Sequence, residues 1–221
     1  MLDDSTPYQS KRELAVAKVR DAILAGRYRP GQSLRQVQLM ADLDLGATPA
    51  REAALELVAK GLLVHESNRG MRVADLDEAR VHQVYSVRAL LESEAARLSA
   101  RRATDATIAR LTRHLRAMET AFAADDLARL GMADGLFHRT LYESAGNPML
   151  LRLIEQMWEQ FPRYMLWQRP ARVRQSLREH AEIVRKYARR DGAGTAAAVR
   201  RHILHGLDAF EAILRAQPPI A

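Results

Sequence analysis

Apolar residues recur every three or four positions along most of this 221-residue chain, and this spacing predicts a mainly α-helical protein. In the first part of the chain it predicts helices at 9–25, 34–43 and 48–58. The period changes at 61–74, where two short β-prone runs enclose Ser-Asn-Arg-Gly and predict a hairpin. Six further helices with short connections then predict an antiparallel bundle, at roughly 77–101, 105–123, 126–145, 149–167, 171–190 and 193–216.

The second and third helices and the hairpin predict a winged helix-turn-helix. Asp44-Leu45-Gly46-Ala47 is a short connection of the kind that joins two such helices. Thr48 is the predicted N-cap of the following helix, and Pro49 suits its first turn. The polar start of this helix carries Thr48 and Arg51, as a recognition helix does in the DNA major groove. Taken by themselves, these residues are explained equally well by an ordinary capped amphipathic helix. The turn and the wing around them favour DNA binding.

The two predicted domains, residues 1–74 and 75–221, differ in charge. The chain has a formal charge of +7, but residues 1–75 hold 11 Lys or Arg and 10 Asp or Glu, against 23 and 17 in residues 76–221. Bulk charge therefore does not mark the first domain as a DNA-binding domain, and the case depends on the placement of single side chains. The candidate DNA-binding residues are Arg35, Thr48, Arg51, Arg69 and Gly70.

Composition excludes several classes of protein. The chain has no cysteine, which excludes disulfides and thiolate metal sites and fits a reducing compartment. The acidic N-terminus is unlike a signal peptide, and no apolar run approaches the length of a membrane span. We therefore expect a cytoplasmic protein without a membrane partner.

A set of possible metal ligands lies in the predicted bundle. Asp134 and His138 are four residues apart on its third helix and so share a face, while His180 and His202 lie on the fifth and sixth. Three neutral imidazoles and a carboxylate suit Zn²⁺ or a related divalent metal. From spacing alone, a surface Asp–His pair is the commoner explanation. His205 also competes with His202, since both side chains could face inward.

Longer stretches of the chain resemble a known family. Pro30-Gly31 to Val73 resembles the winged-helix domain of the GntR family of bacterial transcription regulators, and residues 80–214 are similar to the FCD ligand-binding domain of its FadR subfamily. Six bundle helices, not seven, are typical of the VanR-like branch. The matching motifs are Arg88-Ala89-Leu90-Leu91-Glu92, Asp134-x-x-Phe137-His138, Ala145-Gly146-Asn147-Pro148, Glu179-His180-x-x-Ile183, Asp191 and His202.

This resemblance implies roles for the candidate residues. Arg88 is expected to point into a cavity and clamp a carboxylate effector, for which a planar guanidinium is suited. Without the resemblance, Arg88 is explained as a salt-bridge partner of Glu92, four residues on. The expected metal is Zn²⁺, with Ni²⁺ or Mn²⁺ as alternatives. Its expected ligands are Asp134, His138, His180 and His202.

Three positions depart from the family pattern. Gly46-Ala47 stands where the family usually has Ser-Arg, so an arginine that commonly contacts DNA is absent. Ala50 replaces a valine, and Ala54 replaces a leucine, which predicts looser packing of this helix. The first departure leaves the sequence preference of the domain open.

Together these features predict a transcription regulator and not an enzyme. We expect a repressor that binds a palindromic operator in double-stranded DNA as a homodimer and responds to a small carboxylate bound near the metal. The alternatives are a metal-dependent hydrolase, since such a metal can activate water, or a bundle with a structural metal, each joined to a nucleic-acid-binding domain. The hydrolase lacks an obvious base, because Glu179 points about 100° away from His180 on their helix.

Overall fold

The structure is a computed structural model. It describes residues 10–66, 70–75, 78–160 and 164–216. The chain divides into two compact units, Met1–Leu76 and Asp77–Ala221. The predicted fold class is confirmed, since the first unit is a winged helix-turn-helix and the second is all-helical. No described helix is long and apolar enough to cross a membrane.

Three helices and a small antiparallel sheet form the first unit. A capping box between Ser10 and Glu13 starts the first helix. That helix packs on the third around an apolar core that includes the fully buried Val19, Leu39 and Leu57. The elements are α1 (Lys11–Leu24), β1 (Ser33–Leu34), α2 (Gln36–Leu43), α3 (Ala47–Ala59), β2 (Leu63–Glu66) and β3 (Gly70–Val73).

The sheet contains one strand that the sequence pattern does not predict. The wing hairpin pairs β2 with β3, and β1 lies along the other side of β3. Leu34 fits the apolar spacing of the predicted helix 34–43, but in the structure it is fully buried and lies opposite Met71 of β3. Pairing with the wing holds Leu34 extended, and Arg35 (φ −100°, ψ 147°) is extended too. The helix therefore begins only at Gln36.

The predicted recognition helix also begins at a different residue. The extended Gly46 is the N-cap of α3, and its carbonyl accepts the first helical hydrogen bond, from the Ala50 N–H at 3.0 Å. The prediction that Thr48 is the N-cap is therefore wrong, because the helix already begins two residues earlier. Thr48 and Pro49 both lie in the first turn, where the missing N–H of proline costs no helical bond.

Seven helices make up the described part of the second unit. Five of them match predicted segments one to one. The predicted helix 149–167 is instead divided in two, into a part that ends at Trp158 and a part that begins at Tyr164. Asn147 caps the first part, accepting from the Leu150 N–H at 3.1 Å. The helices are α4 (Glu78–Arg101), α5 (Asp105–Ala123), α6 (Leu127–Glu143), α7 (Pro148–Trp158), α8 (Tyr164–Trp167), α9 (Pro170–Ala188) and α10 (Gly192–Arg215).

The two longest helices, α4 and α10, pack along each other in the second unit. α4 also contacts α6, α7 and α9, and α5 packs on α6 and α9. Inward-facing side chains of α4, α6, α9 and α10 therefore meet in one interior region. The candidate metal ligands lie there.

Candidate metal site, adjoining cavity and DNA-binding face

Three histidines from three helices converge inside the second unit. His138 lies on α6, His180 on α9 and His202 on α10, and each is more than nine-tenths buried. One ring nitrogen of each lies within 4.8 Å of the others, and the Nε2 atoms of His138 and His180 are 3.0 Å apart. The structure thus brings together the three imidazoles that the sequence marks as candidate ligands.

Asp134, the fourth candidate ligand, lies at the edge of this cluster. It is 8% exposed and stands one helical turn before His138 on α6. Its Oδ1 is 3.8 Å from His138 Nε2 and 3.6 Å from His180 Nε2. A carboxylate oxygen therefore lies within 4 Å of two of the three imidazoles, while the group of mutually close ligand atoms among the described residues contains the histidines alone.

Burial keeps the rings of His180 and His202 neutral. Burial, with smaller contributions from His138 and Arg172, lowers the pKa of His180 to about 3, although Asp134 and Glu179 oppose the shift. Burial also lowers the pKa of His202 well below the usual value, and the two neighbouring imidazoles add to this effect. A neutral imidazole retains a ring lone pair, which is the form that binds metal.

Hydrogen bonds behind two of the rings decide which nitrogen carries the proton. The Glu179 carboxylate can only accept, so the His202 Nδ1–H donates to it at 2.7 Å. The Tyr142 hydroxyl donates its one hydrogen to Glu92 at 2.8 Å, so it accepts from the His138 Nδ1–H at 3.2 Å. Both rings therefore keep their lone pairs on Nε2, as in metal sites in which a carboxylate orients the histidine.

This donor set fits a divalent cation. Imidazole lone pairs that converge within hydrogen-bond distance repel one another unless a proton or a cation lies between them. Three nitrogens and one carboxylate oxygen are also ligands that Zn²⁺ and Ni²⁺ accept, and together they leave room for a further ligand. The described residues of the cluster thus suit the metal that the sequence predicts.

A cavity adjoins the cluster. Its walls are formed by Asp134, His138, His202, Arg88 and Arg172 together with mainly apolar residues. The centre of a water molecule can reach about 50 Å³ of it. A ligand of a few heavy atoms placed there lies beside both the cluster and two positive charges.

Arg88 forms the predicted salt bridge with Glu92 and also lines the cavity. Its Nε donates to the fully buried Glu92 at 2.8 Å, so the salt bridge is present. The same guanidinium lies 4.6 Å from the centre of the Tyr85 ring and lines the cavity. Glu92 also accepts from Tyr142 and from Trp158 Nε1, at 2.8 and 3.1 Å. Arg88 is therefore held in place by a buried network at the cavity wall.

Arg172 is a cavity residue that the sequence analysis misses. It lies on α9, is 8% exposed, and donates to Glu179 Oε2 at 3.0 Å and to the His202 carbonyl at 3.2 Å. Arg172 lies seven positions before Glu179, so a helix places both residues on one face. This spacing is the sequence feature that could have identified Arg172. An arginine in a run of charged surface residues is not usually read as buried.

The competition between two histidines on α10 is decided by packing. His202 belongs to the cluster. His205 instead places Nδ1 2.7 Å from Glu179 Oε1, and its side chain is 36% exposed. Glu179 thus separates the two rings, so that only His202 faces the other candidate ligands.

The candidate DNA-binding residues of the helix-turn-helix are exposed. Arg35 stands at the N-cap of α2, and Arg51 has no hydrogen bond or salt bridge to any part of the chain that the structure describes. Gln36 donates to the Ala47 carbonyl at 2.8 Å, which fixes the start of α3 against α2. A shallow depression on this surface is lined by Gln36, Ala47, Thr48, Arg51, Glu52 and Leu55.

Of the two wing residues predicted to bind DNA, the structure describes only Gly70. Arg69 lies outside the described residues. Gly70 has φ +92°, and a Cβ there would lie 3.1 Å from the Leu34 carbonyl oxygen, so the backbone itself calls for glycine. Arg72 forms ion pairs with Glu66 and Asp75, so these two carboxylates largely neutralise its charge.

Comparisons with known proteins match most of each unit. Residues 11–73 match the model of bacterial regulatory proteins of the gntR family, and residues 83–205 match the FCD domain. The Nta operon transcriptional regulator of Aminobacter aminovorans is 32% identical over 192 residues, covering 85% of this chain and 89% of that protein. The HTH-type transcriptional repressor GlaR of Escherichia coli (strain K12) is 26% identical over 196 residues, covering 84% and 89%.

Solved structures show the same architecture. E. coli McbR/YncC has a TM-score of 0.82 at 21% identity, with 93% of this chain and 99% of that chain covered, a likeness that bears on the fold alone. A transcriptional regulator GntR from Rhodococcus sp. RHA1 has a TM-score of 0.73 at 25% identity, with 95% and 100% covered.

Proposed function

The chain belongs to the GntR family of bacterial regulatory proteins and carries an FCD domain, and from this premise we propose that it is a repressor that leaves its operator when a small carboxylate binds beside a divalent metal. As a member of this family it is a DNA-binding transcriptional regulator and not an enzyme, as predicted. Among its relatives, the E. coli GlaR protein is named a repressor.

One observation carries the proposal: the buried imidazole cluster opens onto a cavity that also contains two arginines. A purely structural metal has no need of an adjoining cavity lined by guanidinium groups. A site for an uncharged effector has no need of them either. Metal ligands and arginines around one small space together suit an anionic ligand with oxygen donors.

Asp134, His138, His180 and His202 would hold the metal, and a bound divalent ion supplies a coordination position for a carboxylate oxygen. Side chains that hydrogen-bond to two of these histidines hold their rings in position. Glu179 fixes the tautomer of His202, and Tyr142 fixes that of His138. The cluster thus has its nitrogen lone pairs oriented before any ligand arrives.

Arg88 is proposed to bind the effector carboxylate. Its Nε is engaged by Glu92, but among the described residues none accepts a hydrogen bond from its two outer nitrogens. Those nitrogens remain as donors toward the cavity. Because Arg88 lies on α4, the first helix of the second unit, effector binding would act on the helix nearest in sequence to the wing.

Binding of acid and of DNA should oppose each other by the same factor. We expect small carboxylic acids to weaken operator binding, and operator DNA to weaken acid binding equally, by about 5–150-fold. Calorimetry of the metal-loaded protein with a panel of acids, with and without operator, measures both. Arg88→Lys should bind acids more weakly than the wild type; alanine is avoided because it would leave Glu92 buried without a counter-charge.

The outcomes of this experiment are distinct. Binding of uncharged ligands only, or equal acid affinity of Arg88→Lys and wild type, contradicts the carboxylate site. A metal that stabilises the fold while no acid binds would favour the structural-metal alternative.

Arg51 is the side chain that we expect to contribute most to operator recognition. Arg51→Ala should weaken specific DNA binding by about 1–3 kcal/mol if the guanidinium contacts a base edge. A mobility-shift titration with the region upstream of the gene measures this. Arg12→Ala is the matched control, because Arg12 lies in the same unit but pairs with Glu56. Equal losses in both variants would show a bulk charge effect and remove Arg51 from recognition.

An apolar surface on α4 and α7 is proposed as the homodimer contact. These two helices pack on each other, yet Leu90 is 68% exposed on α4, and Met149 and Leu153 are 57% and 40% exposed on α7. In the described residues of α7 only Ile154 is buried. A second copy that covers this surface would bury apolar area and place two recognition helices on a palindrome.

Leu90→Asp should therefore shift the protein from dimer to monomer. The added charge would have to be desolvated at the contact. Light scattering during size-exclusion chromatography measures the mass. Leu136→Asp, at a leucine 46% exposed on α6, is the control and should remain dimeric. A Leu90→Asp protein that stays dimeric rules out this surface.

A further inference from the structure

The cavity beside the histidine cluster extends away from it along two helices. On α6 its lining residues run back from His138 through about two helical turns to Leu130. On α9 they run back a similar distance from the position of His180 to Arg172. The short helix α8 directly precedes α9, packs against α6, α9 and α10, and contributes two lining residues, Leu166 and Trp167. α8 therefore covers the end of the cavity that lies away from the cluster, which we call the far end.

Trp167 packs directly on the backbone of α6. A Cβ on Gly131 would overlap the Cζ3 and Cη2 atoms of the Trp167 ring, whereas a Cβ on Gly135 of the same helix would meet no atom within 4 Å. Glycine is unfavourable inside a helix, so the close approach of the ring gives Gly131 a physical reason. Gly131 lies about one turn before Asp134 and two turns before His138, on the same face of α6.

We infer that Trp167 is a specificity-determining residue, whose indole limits how far an acid can extend from the metal and Arg88 toward the far end. This inference rests on the proposed function, which places the carboxylate at those two groups. Along α6, Gly131 and His138 are about 10 Å apart. A longer chain would have to displace a rigid ring that already rests on the helix backbone.

The effector class then becomes narrower. The effector is an acid of a few carbons, whose tail ends at the indole, and acids with longer acyl chains are excluded. The volume that the centre of a water molecule can reach, about 50 Å³, agrees with a ligand of this size. Apolar residues near the far end, which can receive a short tail, are Leu130, Val173 and Ile203.

A series of straight-chain acids tests this inference on the full-length, Zn²⁺-loaded protein by calorimetry. The series is acetate, butyrate, hexanoate and octanoate. In the wild type each methylene that is still buried should strengthen binding by about fourfold, and octanoate should bind more weakly than butyrate. Trp167→Leu should bind octanoate about tenfold more tightly than the wild type does, with acetate unchanged. Trp167→Phe removes less of the ring system and should give a smaller gain.

Tyr164→Leu is the matched control. Tyr164 is an aromatic residue of the same helix, α8, but is not one of the residues that line the cavity. This variant should keep the wild-type dependence on chain length, and the metal content of every variant is measured beside its affinities. If Trp167→Leu does not fold, the indole N–H resonance of Trp167 in the wild type should shift on addition of butyrate.

A second pair of variants tests the position of the ring without any ligand. Gly131→Ala should lower the melting temperature, because its methyl group meets the indole, whereas Gly135→Ala should not. In the Trp167→Leu background the loss from Gly131→Ala should be smaller. Equal melting temperatures for Gly131→Ala and Gly135→Ala would show that the ring does not rest on α6 and would overturn the inference.

Three results of the acid series would also overturn it. Octanoate binding to the wild type as tightly as butyrate would show that the far end is open. A dependence on chain length that is the same in the wild type and in both Trp167 variants would leave the carboxylate site standing and remove Trp167 from it. Equal weakening of acetate and octanoate in Trp167→Leu would show a general structural role. Failure of every acid to bind at millimolar concentration would instead reject the proposed effector class itself, and the inference with it.

Discussion

Replacing His180 with alanine should leave the purified protein almost free of divalent metal, whereas the wild type should carry one ion per chain. His180 is fully buried, and its Nε2 lies 3.0 Å from that of His138, so the change removes a nitrogen from the centre of the cluster. Partners behind metal ligands are worth about 10–100-fold in affinity, and a direct ligand should be worth more. Elemental analysis of untagged protein and titration with Zn²⁺ measure the loss.

His205→Ala is the control for this experiment. It also removes an imidazole from the second unit, but that ring contacts Glu179 outside the cluster. It should retain the metal. Added Zn²⁺ should raise the melting temperature of the wild type and of His205→Ala, but not of His180→Ala, because only an intact site binds the folded state. Undiminished metal content in His180→Ala would contradict the assignment.

Acid should destabilise the metal-free wild type through the same residue. The pKa of His180 is about 3 in the folded protein and near 6.5 when unfolded, so the unfolded chain binds more protons between these values. This contribution to stability is complete above pH 6.5 and is lost as the pH falls toward 3, by at most about 1.4 kcal/mol per unit. Urea unfolding with a chelator should show a shallower pH dependence for His180→Ala.

Glu92→Ala should lower the free energy of unfolding by about 3–5 kcal/mol, because it leaves Arg88 buried without a counter-charge. Glu92 is fully buried and accepts from Arg88, Tyr142 and Trp158. Burial acts to raise the pKa of Glu92, but Arg88, His138 and these hydrogen bonds outweigh it and lower the pKa overall. Urea unfolding measures the loss.

Glu94→Ala provides the matched control on the same helix. Glu94 is exposed and pairs with Arg97 at 2.6 Å, and an exposed pair contributes at most about 1 kcal/mol. The double variant Arg88→Met/Glu92→Leu should recover much of the stability by replacing both charges together. Equal losses for Glu92→Ala and Glu94→Ala would show that the buried pair has no special role.

Sequence patterns that span only a few residues were sufficient to predict most of the helices and one shared helix face. Helical periodicity located the helices, and Asn147-Pro148 marked the start of α7 as a cap followed by a first-turn proline. The spacing of Asp134 and His138 placed both on one face of α6. These features depend on residues within a few positions of one another, so the chain carries them without reference to the fold.

Local rules failed where a distant partner competed with them. Leu34 fits a helix but is extended, because pairing with Met71 of β3 buries it. Gly46 replaced Thr48 as the N-cap of α3, since the backbone turns as soon as the short connection from α2 allows. In both cases the local preference is weak, and a long-range contact or the geometry of a turn outweighs it.

At the candidate metal site, too, some features follow from the local sequence and others from tertiary packing. The sequence by itself determined which residue types were present and which pairs shared a helical face. Only the tertiary structure decided that His202 and not His205 joins the cluster, because Glu179 on another helix binds both rings from one side. It also decided that Arg172 is buried with an unmet donor. Burial and pairing are properties of what packs opposite a side chain, and helices distant in the chain supply that environment.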